Sequence, residues 1–247
     1  MSGMSPEEEA AMLAELKAIS TKASDSRFDG FAQKVVKTVA VTDENTTTNG
    51  LNTVDFLQGN PEDPALNQYW YSQASVDALT LECERLIKSR GQNYKVAFLS
   101  TPSIYFALSD ESRGQCWVMD YDKKWESDRG FVFYDFNKPA DFGSKTEELI
   151  KSFDLVVIDP PFITREVWEK YTESAHALLK ENPTFNAKSG QVIGTTVAEN
   201  APFMEELLGC KAQKFRPSIP NLVYQYNSYA NFDGAEFLGK SNPEIDP

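Results

Sequence analysis

The sequence predicts an α/β protein: a mostly parallel sheet with helices on both faces and an antiparallel addition at one edge. Three observations carry this. From Asn67 onward, short apolar runs of strand length alternate with helical stripes, the pattern of strands joined by crossover helices. The run Leu155–Ile158 shows no polar alternation, as expected of a strand buried on both faces. The last two strand-like stretches lie close together near the C-terminus, which suits an antiparallel hairpin rather than a crossover.

The elements follow in order. Ser5-Pro6-Glu7-Glu8 places a capping hydroxyl, a first-turn proline and two acids where a helix begins. The stripe Met12, Leu13, Leu16, Ile19 then predicts an N-terminal helix within 1–19. Residues 20–64 are poor in large apolar side chains and rich in Thr, Asn, Asp and Ser. They read as a flexible connector with an ordered piece at 31–41. The main domain spans 65–240, followed by a tail over 241–247. Within it, a helix is expected at 75–89, with Val76, Leu79, Cys83, Leu86 and Ile87 on one side and Gly91 at its end. A strand at 95–100 leads through the turn Thr101-Pro102-Ser103 to a short helix at 104–108. Strands at 115–120 and 130–136, a polar helix at 146–152 and the strand at 155–158 come next. A helix at 165–180, a strand at 191–197 and a helix at 201–208 follow. Strands at 211–215 and at 222–229, the latter alternating and tyrosine-rich, close the fold.

Composition narrows the function. With 24 Lys and Arg against 37 Asp and Glu, the net charge is −13 and the pI about 4.6. That disfavours nucleic acid, whose affinity rests on basic residues, and suits a basic protein partner. No run approaches the ~20 apolar residues of a membrane span. The N-terminus is acidic and lacks the order of a signal peptide. Cys83, Cys116 and Cys210 are scattered and odd in number, so neither a disulfide framework nor a metal site is expected, in keeping with a reducing, cytoplasmic setting. The single histidine, His176, falls in a predicted helix, and no nucleophile elbow accompanies it.

The strand ends carry the chemistry. In such sheets ligands bind beyond the carboxyl ends of the strands, where strand order reverses. The first strand ends at Ser100-Thr101-Pro102-Ser103, the second at Asp120, the third at Asp135-Phe136 and the fourth at Asp159. Asp120 can accept two ribose hydroxyls. Asp135 can accept from an adenine amino group, with Tyr121 or Phe136 packing on the ring. No glycine-rich turn follows the first strand, which argues against a pyrophosphate cofactor such as NAD or FAD. A ligand without phosphate, such as S-adenosyl-L-methionine, tolerates the bulkier turn, and the hydroxyls of Ser100, Thr101 or Ser103 can reach its amino-acid part. After the fourth strand, Asp159-Pro160-Pro161-Phe162 supplies a carboxylate acceptor, a backbone held extended by two prolines, and a flat apolar wall. That set suits an amine.

Asp159-Pro160-Pro161-Phe162 after a fourth strand resembles the catalytic motif of amino-methyltransferases with the seven-stranded Rossmann-like fold. Together with Asn67-Gln68-Tyr69-Trp70-Tyr71-Ser72, Ser100-x-Pro102-Ser103, Tyr121-Asp122-Lys123 and Phe133-Tyr134-Asp135-Phe136, it is similar to the eukaryotic lysine methyltransferases of translation elongation factor 1-alpha. That family was formerly described as adenine-specific DNA methyltransferases. The resemblance runs from about Asn67 to Asp233. It departs from the family in Phe at 162, where Tyr is frequent, and Asp at 120, where Glu is frequent; both changes are chemically mild.

The resemblance implies a Rossmann-like class I methyltransferase sheet and methyl transfer from S-adenosyl-L-methionine to a protein lysine, with elongation factor 1-alpha as the basic partner and the enzyme a monomer. Asp159, Pro160, Pro161 and Phe162 are then catalytic. Tyr71, Ser72, Ser100, Thr101, Ser103, Asp120, Tyr121, Asp135 and Phe136 bind the cofactor, and Trp70 with Phe162 walls the substrate channel. Asp159 and the Pro160 carbonyl are expected to orient the amine, with water taking its proton. The alternative is an adenine-amino methyltransferase acting on DNA or RNA, because an exocyclic amine needs the same acceptors and stacking ring.

Overall fold

The computed structural model describes residues 53–181 and 190–246. The helix expected within 1–19 and the ordered piece at 31–41 lie outside the described residues. The strands are β1 (Val96–Leu99), β2 (Cys116–Asp120), β3 (Phe131–Phe133), β4 (Leu155–Ile158), β5 (Gln191–Val197), β6 (Lys211–Ala212) and β7 (Tyr226–Ala230). They form one sheet in the order β3-β2-β1-β4-β5-β7-β6. β1 to β5 are mutually parallel, and β7 runs antiparallel between β5 and β6. This is the seven-stranded sheet of the class I methyltransferases. From β1 the chain moves outward through β2 to β3, then returns to place β4 on the other side of β1. The strand order therefore reverses between β1 and β4, and the crevice opens beyond their carboxyl ends.

The helices are α1 (Thr53–Gly59), α2 (Gln73–Arg90), α3 (Pro102–Ala107), α4 (Asp110–Arg113), α5 (Thr146–Leu149), α6 (Arg165–Leu178) and α7 (Ala201–Leu208). β1 shows how they are distributed. All four of its residues are buried, and successive side chains enter opposite cores. Val96 and Phe98 pack with Val76, Leu79, Cys83, Leu86 and Ile87 of α2 and Ile104 of α3. Ala97 and Leu99 pack with Trp168, Tyr171, Ala175 and Leu178 of α6 and Met204 of α7. The expected stripe of α2 is thus its buried face, and each large apolar side chain removed from water contributes about 1.5–3 kcal/mol before entropy is counted. Ser72 caps α2 by accepting the Ser75 N–H, and Gly91, at φ 85°, ends it. Cys83, Cys116 and Cys210 are all buried.

Several bounds differ from the sequence expectation. β3 is shorter than 130–136: the Tyr134 N–H still reaches the Asp120 carbonyl, but Asp135 Oδ1 then accepts the Asn137 N–H and turns the chain. β6 stops at Ala212, and β7 begins at Tyr226 rather than at 222. The stretch before β7 holds Pro217 and Pro220 and turns through a Leu222 N–H to Ile219 carbonyl bond. α3 begins at Pro102, so the expected turn is already its first turn. Within the span read as connector, Thr53–Gly59 is helical and Phe56 is buried against Trp70 and Trp125. In the tail, Asn242 is fully buried and donates to the Arg216 carbonyl.

Candidate active site

β4 delivers Asp159 to the carboxyl edge of the sheet, where its N–H donates to the Leu99 carbonyl of β1. The prolines that follow stop the ladder, since neither can donate. Two side chains from elsewhere close on the carboxylate. The Tyr71 hydroxyl, just before α2, donates to Asp159 Oδ2. It also lies 2.5 Å from Thr195 Oγ1 of β5. Tyr71 and Thr195 are buried. Asp159 stays partly exposed, yet burial dominates its electrostatics and lifts its pKa to about 7, against the lowering pull of the two hydroxyls. A buried acid near neutrality in a cleft is a mark of a functional site.

The rest of the motif is pinned from outside. The Asn67 side chain donates to the Pro161 carbonyl. Asn67 holds a left-handed backbone at φ 52°, a conformation asparagine tolerates better than most residues. Asn200 donates to the Ile163 carbonyl at 2.8 Å and to Thr196 Oγ1 at 2.8 Å. Phe162 is half-buried and meets Phe136 edge to face, with centroids 6.4 Å apart. Phe136 in turn stacks on Tyr171 of α6 at 5.9 Å. An aromatic wall therefore runs from the third strand's end to the fourth's.

β1 and β2 supply the neighbouring acceptors and hydroxyls. Ser100 follows β1 with φ 54°, a left-handed position normally left to glycine. The sequence lacks the expected glycine, but the backbone still makes the turn. Ser100 Oγ is hydrogen-bonded to the Tyr171 hydroxyl at 2.6 Å. Thr101 is 2% exposed and its Oγ1 has no protein partner, a buried polar atom that a ligand can satisfy. Ser103 is buried within α3. Asp120 ends β2 at 6% exposure, and burial lifts its pKa to about 7 although the Asp122 N–H donates to its Oδ1 at 2.8 Å. An orphan hydroxyl and an enclosed carboxylate at adjacent strand ends fit the hydroxyl-rich, phosphate-free donor that the sequence implies.

Other expected site residues are placed differently. Trp70 sits in an aromatic cluster, 5.2 Å from Phe56, and its indole N–H donates to the Asn60 carbonyl. Ser72 is a helix cap whose hydroxyl also contacts Glu244. The Tyr71 hydroxyl is spent on Asp159 and Thr195. Tyr121 is 58% exposed and packs on Phe133, with centroids 5.4 Å apart. Asp135 lines a cavity of about 310 Å³ at the β3 edge with Phe133, Lys138 and Phe142. The carbonyl of Pro161, next to the expected amine contact at Pro160, accepts from Asn67. The residues that sequence reading passed over are Asn67, Tyr171, Thr195 and Asn200. Asn67 stood in the quoted motif but carried no role; Tyr171 and Thr195 come from the middle of a helix and of a strand, with no local signature.

Residues 62–234 match the family model described as "Probable N6-adenine methyltransferase". The chain is 31% identical to EEF1A lysine methyltransferase 1 of Homo sapiens, over 68% of this chain and 74% of that one. It is 28% identical to the protein-lysine N-methyltransferase EFM5 of Saccharomyces cerevisiae, over 70% and 73%. It is 30% identical to the protein-lysine N-methyltransferase CG9154 of Drosophila melanogaster, over 72% and 79%. The matched span holds every strand and both acids at the crevice, and the protein belongs to the eukaryotic elongation factor 1-alpha lysine methyltransferase family.

Proposed function

We propose that this protein transfers a methyl group from S-adenosyl-L-methionine to the ε-amine of a lysine in translation elongation factor 1-alpha. The observation that carries the reading is Asp159, a half-buried carboxylate at the switch point of the sheet, beside an aromatic wall and next to strand ends that fit the donor. Thr101, Ser103 and Asp120 would hold the donor, Asp120 through its hydroxyls; the donor supplies an electrophilic methyl group. The names of the relatives support lysine as the acceptor.

The chain's own task is to present an uncharged nitrogen. A free lysine has a pKa of about 10.4, so passing its proton to an ordinary aspartate would cost roughly 9 kcal/mol. With Asp159 at about 7 the cost falls to roughly 5 kcal/mol. Burial of the ammonium lowers it further. Asp159 therefore serves as the proton acceptor as well as the group that orients the amine, a stronger role than the motif alone suggests. Phe162 and Phe136 wall the acceptor and keep water from it.

Incubating the purified protein with tritiated donor and, separately, elongation factor 1-alpha, DNA and RNA tests the reading. Label is expected on lysine of the protein, located by mass spectrometry. Asp159→Ala is expected to lower the rate by at least ~10²-fold while donor affinity stays within a few-fold. Label on adenine with none on protein would establish the rival assignment.

A further inference from the structure

We infer that Tyr71, backed by Thr195, is a positioning residue for the proton-accepting carboxylate: a two-hydroxyl relay that fixes one oxygen of Asp159 and turns the other toward the lysine amine. The inference rests on the proposed lysine acceptor and assigns to Tyr71 a task other than contact with the methyl donor.

With Asp159 ionised, each hydroxyl proton in this chain has a partner. A carboxylate can only accept, so the Tyr71 O–H donates to Asp159 Oδ2. Tyr71 has spent its single proton there, so at 2.5 Å Thr195 Oγ1 must donate to the Tyr71 oxygen. Three separate parts of the fold meet in this chain. Tyr71 precedes the Ser72 cap of α2, Thr195 is buried in β5, and Asp159 ends β4. Ser72 locks the approach of Tyr71: its N–H donates to the Ser218 carbonyl at 2.8 Å. The titratable groups that sense Asp159 are Tyr71, Tyr171 of α6 and Tyr226 of β7. Among these described neighbours none is cationic, so hydroxyl donors are what hold the anion. Both hydroxyl bonds favour the charged carboxylate, opposing burial.

The relay makes the reaction's proton step explicit. The lysine N–H bond breaks, the proton passes to the free oxygen of Asp159, and the electron pair left on nitrogen is the nucleophile. Asp159 later returns the proton to solvent. Without the Tyr71 donor, Asp159 holds its proton more tightly and is ionised in a smaller fraction of molecules at neutral pH.

The test is Tyr71→Phe, which keeps the ring and removes the hydroxyl, with Thr195→Val as a second arm that leaves the Tyr71 hydroxyl in place. The acid limb of the kcat–pH profile is expected to move up by about one pH unit in Tyr71→Phe and by less in Thr195→Val. The donor KM should stay within about twofold. A rate loss equal at every pH, or a raised donor KM with an unmoved limb, overturns the relay. The second readout needs no substrate: ¹³C-carboxyl NMR of the donor-free protein, with the Asp159 signal assigned by its loss in Asp159→Asn. Its titration should move upward in Tyr71→Phe. If that titration moves while no lysine is methylated, the relay stands and the acceptor assignment falls. If it does not move, the relay falls whatever the activity shows.

Discussion

Asp120 and Asp159 end or follow the strands on either side of β1 and make the same demand on the fold. Burial lifts both from an ordinary 3.8 to about 7. The sign of the consequence follows from proton counting. Between pH 4 and 7 the folded state keeps a proton at each site that the unfolded chain has lost, so stability falls as pH rises through that window and is level above it. A neutral isostere escapes the loss. Asp159→Asn should therefore raise the melting temperature at pH 8, a gain worth up to about 4 kcal/mol. The gain should shrink below pH 7 and vanish near pH 4, while methyl transfer is lost throughout. Thermal melts of both proteins from pH 4 to 9 read this directly. A stabilisation independent of pH would mean that ionisation of Asp159 is not what costs the fold. The trade is the usual one for a site held away from its stability optimum.

At the scale of elements, β3 depends on the turn before it. Asp128 Oδ1 accepts the Gly130 N–H at 2.7 Å and the Tyr105 hydroxyl at 2.7 Å. This brings Gly130 so close to the α3 side that a Cβ there would lie 2.3 Å from the Tyr105 oxygen and 2.9 Å from the Cys116 carbonyl. Gly130→Ala should cost about 1–3 kcal/mol, seen as a lower denaturant midpoint with an unchanged slope; a midpoint equal to that of the parent would show that the turn can shift freely. Elements were legible in the sequence where one period dominates: Leu155–Ile158, Gln191–Val197 and Ala201–Leu208 have the bounds expected of them. They were not where side chains rather than apolar pattern end the pairing. Asp135 belongs to an aromatic run but folds it into a turn, and Leu222 to Gln225 open a tyrosine-rich run just after two prolines and lie outside the sheet. α1 escaped notice because about two helical turns around Phe56 have no stripe to detect; its support is the distant pair Trp70 and Trp125. For the same reason, Trp70 could be read from sequence as a channel wall, since nothing local separates a packed indole from an exposed one. The acids at strand ends were legible because the sheet's topology fixes where ligands bind. The relay to Asp159 was not, because Thr195 shows only as one of two adjacent threonines within a strand.

For the whole molecule, the excess of 37 acidic over 24 basic residues acts on the encounter rather than on the chemistry. The crevice needs an anion only at Asp159 and Asp120, and burial already makes those two costly to ionise. Glu82 and Glu84 are buried too, each beside a cation of its own helix, Arg85 and Lys88, but the other acids among the described residues are partly or fully exposed, and such a field would attract a basic partner over the ~8 Å reach that physiological salt allows. If elongation factor 1-alpha is the partner and docks through this field, the gain is in association, not in the bond-making step. Raising salt from low to well above physiological strength should then increase KM for the protein substrate by about tenfold. The turnover number and the donor KM should hardly change, because the donor site is enclosed and a small ligand crosses the field with little charge at stake. A short lysine-containing peptide, which presents less of the basic surface, should show a weaker salt dependence than the folded partner. Initial-rate measurements at several ionic strengths, with donor and protein varied in turn, separate these cases. A protein KM that stays flat would assign the acidity to solubility alone and leave recognition to contacts around the aromatic wall of Phe136 and Phe162.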